Sequence, residues 1–124
     1  MQKIFFVMLI LGFSCVGAFA HGGNDLIIHG YIVDNMSAAA HKADLASFVK
    51  THDKTCLLKP SCMQSGYSIF SLDDGKLYAF DKASNEEAAN FLKSPLNRTD
   101  VVIIAEKNGD ALMVEHFANR RIVR

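Results

Sequence analysis

Asn108-Gly109 sits between two β-rich runs, residues 101–106 (VVIIAE) and 110–117. Asn-Gly suits the positive-φ positions of a type I′ turn, so the flanking runs are expected to fold back as an antiparallel hairpin. Val101-Val102-Ile103-Ile104 is too apolar for an edge strand facing water, which places this hairpin in the core. Asp74-Gly75 repeats the signal between residues 67–72 and 76–81. Residues 26–33 (LIIHGYIV) read as a further strand, and its interior Gly30 predicts a bulge or sharp bend.

Helical spacing fills the gaps. Ser37 is a cap candidate for a helix over 37–50, where Leu45, Phe48 and Val49 recur with helical period and His41 lies one turn before Leu45. Residues 52–66 hold Cys56, Pro60, Cys62 and Gly66 and read as an irregular loop. Ser84-x-x-Glu87 forms a capping box, Ala88, Phe91 and Leu92 give the apolar face behind it, and Pro95 ends that helix. The expected fold is mostly β with two helices, an α+β class. Its order, β-α-β-β-α-β-β, is that of a small OB-like five-stranded barrel with a helix and a disulfide loop inserted between strands 1 and 2. An α+β sandwich with both helices on one sheet face has the same order.

The N-terminus sets the compartment. One charged residue, Lys3, precedes the apolar run 4–13 (IFFVMLILGF), and Ala18-Phe19-Ala20 supplies an A-x-A cleavage site. The run is too short to span a bilayer, which needs about 20 residues. Cleavage after Ala20 gives an exported protein, periplasmic or secreted, with no transmembrane segment in the mature chain. Lipidation at Cys15 is the competing outcome, but Gly12-Phe13-Ser14 lacks the expected Leu. The chain then divides into a signal peptide (1–20), a flexible leader (21–25), one globular domain (26–118) and a basic tail (119–124).

Removing Lys3 with the signal leaves twelve basic against thirteen acidic residues. A near-neutral chain with no basic stripe argues against a nucleic-acid partner. Two cysteines remain after cleavage, Cys56 and Cys62. An even count in an oxidising compartment predicts a disulfide, and C-x5-C is neither a thioredoxin-type nor a haem-attachment spacing.

The stretch 30–41 (GYIVDNMSAAAH), followed by Cys56, Cys62, Gly66-Tyr67, the Asp-Gly hairpin and a closing hairpin, resembles a group of small exported bacterial proteins of unknown function. Their pattern joins G-x-[aliphatic]-x-D to a nearby Cys-x-x-x-His, a cysteine pair and an OB-like tail. This chain has Ser37 where the pattern has its first cysteine, so the pair becomes Ser37-x-x-x-His41 and a thiolate ligand is lost. The resemblance implies export and fold; it implies no activity.

Candidate chemistry is sparse. His41 with Asp34, Cys56 and Cys62 could hold a soft metal. The same residues also make a capped helix, a structural disulfide and a half-buried histidine. His21 would be the mature N-terminus, where α-amine and imidazole can chelate copper, completed by His29 or His116. No nucleophile elbow, P-loop or dinucleotide glycine pattern occurs. The leading expectation is a non-catalytic exported binding or accessory module. Its partner would be a small ligand, a peptide or an envelope protein, met on a surface shaped by Tyr31, Tyr67, Tyr78 and the insertion. Copper handling is the alternative, and a small hydrolase or redox enzyme the third.

Overall fold

A computed structural model describes residues 25–121. The expected signal peptide, Cys15, His21 and the last three residues lie outside the described residues. Five strands form one antiparallel sheet in the order β3-β2-β1-β4-β5: β1 Leu26–Asp34, β2 Tyr67–Ser71, β3 Leu77–Ala79, β4 Asp100–Asn108 and β5 Ala111–Asn119. Both predicted hairpins form, with Gly75 and Gly109 at positive φ, but the closing turn is not the expected type I′: Asn108 still pairs with Ala111, the loop residues are Gly109 and Asp110, and Gly109 alone takes positive φ there.

The central strand is shared unequally. From Leu26 to Tyr31, β1 pairs with β4, and from Gly30 to Asp34 it pairs with β2. The crossing point requires glycine: a Cβ on Gly30 would lie 2.0 Å from the Phe70 carbonyl oxygen. Ile28 and Ile32 of β1 face inward with Tyr67, Ile69, Val101, Ile103 and Leu112. The helix α5 (Lys82–Lys93) closes this core with Ala88, Ala89 and Leu92. Val33 and Phe70 face the other way, into a second cluster with Ala38 and Val49. With both faces covered, β2 is buried along its whole length.

Three further expectations change. The barrel is not closed: Phe80, just past β3, forms a single parallel bridge to Leu112 of β5, with the Asp81 N–H donating to the Leu112 carbonyl at 2.9 Å. Beyond it, the Val114 N–H donates to Ser84 Oγ of α5 at 2.7 Å, so a helix start spans the seam. That use of Ser84 explains the second change, because the cap is Asp81, which accepts from the Ser84 N–H at 2.9 Å. Third, the insertion is not one helix and a loop. It comprises α1 (Asn35–Ala40), a 3-10 turn (Lys42–Asp44), α2 (Leu45–Thr51), α3 (Lys54–Leu57) and α4 (Pro60–Ser65). Asp34 rather than Ser37 caps α1, Asp53 caps α3, Pro60 opens α4, and Gly66 ends it at φ 83°. At the C-terminal end β5 includes Asn119, and Arg120 pairs with Asp100, Nε to Oδ1 at 2.5 Å.

Candidate functional site

The Asp34 side chain is fully buried where β1 runs into the insertion. Its carboxylate accepts the Ser37 N–H and the His52 Nε2, each at 2.9 Å, and also faces the Ser37 hydroxyl and the Cys62 thiol. Burial alone would raise its pKa; the bonds from His52 and Ser37 outweigh it and hold the group below the ordinary value. His52 closes α2, and its side chain is 7% exposed. Its ring lies 4.5 Å from Phe48, which stacks on His41 at 3.7 Å.

This buried pair ties the insertion to the sheet. The Cys62 thiol is pushed up by burial, then by its hydrogen bond to Asp34 and by the charge of that group, which keeps it protonated and poorly nucleophilic. His52 carries no sequence motif. The signal that points to it is indirect: a buried aspartate at a strand end needs a donor.

The other sequence candidates are spread out. His41 is partly exposed, 3.3 Å from Asp44. Cys56, half-buried on α3, and Cys62, buried on α4, are both free thiols here. His29 and His116 are exposed on the outer face of the sheet, opposite Val102 and Ile104 of β4. Among the described residues, the one trio of His, Cys, Asp or Glu donors lying within 4.8 Å of one another is Asp25, Glu106 and Glu115. Of the three tyrosines, Tyr67 is internal, its hydroxyl donating to the Leu57 carbonyl at 2.8 Å and pushed up to about 12 by burial and the Asp34 charge. Tyr31 packs into the second cluster.

Tyr78 does line a surface cleft. The β2 ladder ends at Ser71 opposite Gly30, and the Asp73-Asp74-Gly75 turn then departs from β1. The divergence opens a cleft of about 360 Å³ between Leu26, Ile27 and Ile28 on one side and Asp73, Asp74 and Tyr78 on the other, with Lys107 at its end. The Tyr78 hydroxyl donates to Asp74 Oδ2 at 2.6 Å, and that bond, with one from the Lys76 N–H, holds Asp74 below the ordinary carboxylate range. The cleft therefore offers an apolar wall from β1 and a negative rim from the turn. No protein-family model, curated protein or solved structure matches this chain.

Proposed function

We propose that this chain is an exported, non-catalytic binding module of the envelope or periplasm, and that the cleft beside β1 is its binding surface. The observation that carries the reading is the cleft itself, an apolar wall with a few polar groups converging on it, which is the usual make-up of a ligand site. The strand order, the helix between β3 and β4, and the Phe80–Leu112 bridge support an OB-like curl of the sheet. In this chain the insertion covers the β1–β2 part of the outer face, so binding shifts to the gap the turn leaves open. The buried His52 and the protonated Cys62 thiol favour a structural role for the insertion over a catalytic one.

Two measurements test this. Intact mass of the exported protein should match a chain starting at His21; a lipid-modified chain starting at Cys15 overturns the leader assignment. A fragment screen by amide NMR should move Leu26, Ile27, Ile28 and Tyr78 together. Hits that all map elsewhere refute the cleft.

Copper handling is the second reading, favoured by His29 and His116 sharing the outer face of the sheet. Cu(II) titration of the chain starting at His21, compared with one extended by a single methionine, separates the two. Equal affinity in both removes the N-terminal copper site.

A further inference from the structure

We infer that the cleft takes an extended peptide carrying a lysine or arginine, added as a short strand along residues 26–28 of β1. This rests on reading the cleft as the binding surface. The backbone supplies the first argument. The Leu72 N–H donates to the His29 carbonyl at 2.8 Å, so the backbone groups of His29 point to the β2 side. On a strand, residues two apart point the same way, and Ile27 therefore directs its N–H and carbonyl toward that side as well. Residues 26–28 have partners on β4 alone. An unpaired strand edge is a template for another strand, and a peptide laid along it can satisfy both the N–H and the carbonyl that Ile27 turns to the open side.

Side chains narrow the partner. Ile27 is 65% exposed and Leu26 37%, unusual for large aliphatics at the start of a central strand. An incoming β-branched or aromatic residue would cover them. Asp73 and Asp74 form the opposite rim, and Asp25 adjoins Leu26, against Lys107 in the lining and Lys76, whose charge acts on Asp74. The local charge is negative and favours a basic side chain on the peptide. The free edge is only three residues, about 10 Å at 3.3 Å per residue, so the affinity should be modest and strongly dependent on the peptide charge.

The test is selection from a random twelve-residue peptide library displayed on phage, using the protein that starts at His21. Enriched peptides should alternate β-branched or aromatic residues with lysine or arginine, and should shift the amides of Leu26–His29 and Tyr78. N-methylation of the peptide residue facing Ile27 should weaken binding at least tenfold, and Asp73→Asn at least threefold. No enrichment, enrichment of acidic peptides, or shifts confined to another surface overturns the inference. If small neutral fragments still move Leu26–Ile28 and Tyr78 in that case, the cleft remains a binding surface for another ligand class. If they do not, both readings fall.

Discussion

Asp34→Ala should be among the most damaging single changes in the domain, and its cost can be built from the structure. The substitution removes the carboxylate that caps α1, a loss of about 1 kcal/mol for an Asp N-cap. It also removes the buried bond to His52, about 1.5–3 kcal/mol for a hydrogen bond involving a charged group. Together these give about 2.5–4 kcal/mol, before any cavity left in a site with no exposed surface. Asp34→Asn keeps an oxygen for the Ser37 N–H and should lose less. His52→Ala strands a buried carboxylate. Breaking a buried pair in this way costs about 3–5 kcal/mol, and the low end applies because Ser37 and Cys62 still face the group. Urea unfolding followed by circular dichroism gives each value from the midpoint at constant slope. The pH dependence has a fixed sign. Asp34 titrates below 3.8 when folded, so its stabilisation is present above the unfolded value and is lost as pH falls through the lower folded one. The gap between wild type and Asp34→Ala should therefore be full at pH 7 and close in strong acid. A cost under about 1 kcal/mol at pH 7, below the cap contribution alone, refutes the anchoring role of the buried pair. So does a gap that widens in acid, or a double-mutant cycle with His52→Ala showing no coupling.

Ile103→Ala should cost about 2–5 kcal/mol in the same assay, because Ile103 is fully buried at the centre of β4; under about 0.5 kcal/mol would place it at the surface. Gly30→Ala should prevent folding or cost more than about 4 kcal/mol, since its Cβ would meet first the Phe70 backbone, which cannot swing aside as a side chain can. Ser84→Ala leaves the Val114 N–H buried without its acceptor and should cost about 1–3 kcal/mol, with faster amide exchange at Val114 as the local signature.

Local signals in the sequence reach as far as local physics does. The two hairpins, the first strand and the helix before Pro95 could be read from neighbouring residues, but not the role of Gly30, which stands in regular register in both ladders and answers a close approach of the Phe70 backbone where a bulge or bend was the expectation. The insertion could not. Its helices run four to seven residues, too short to form without tertiary packing, so periodicity has little to register. Both cap shifts have the same cause: Asp34 and Asp81 each stand three residues before a serine, and either residue is a competent cap. Tyr67 is internal and not part of a binding surface, and its sequence position does not show this, because strand parity assigns faces only when one face is wet. On β2 neither is. The Asp34–His52 bond joins residues 18 apart, and no pattern in the chain marks that pairing. The cleft is hidden for a related reason: it arises where one ladder stops, and where a ladder stops is a property of the sheet.

The cysteines bring compartment and structure into one experiment. The proposed export to an oxidising compartment predicts that Cys56 and Cys62 are joined, whereas both are free thiols in the structure. Closing so short a loop stabilises by about 2.4 kcal/mol in the chain-entropy treatment. It also changes the Asp34 site, because the Cys62 thiol that faces the carboxylate would no longer have a proton to share. Oxidation would thus strengthen the insertion covalently while removing one donor from its buried anchor. The expected result for the natural export product is no labelled thiol after denaturation without reductant. After reduction and refolding, native labelling should be faster at Cys56, which is half-buried, than at Cys62, which is 4% exposed with its pKa raised by burial. Two labelled thiols in the unreduced export product reject the disulfide. In that case Cys62 stays with Asp34, and the insertion is held by the buried pair alone.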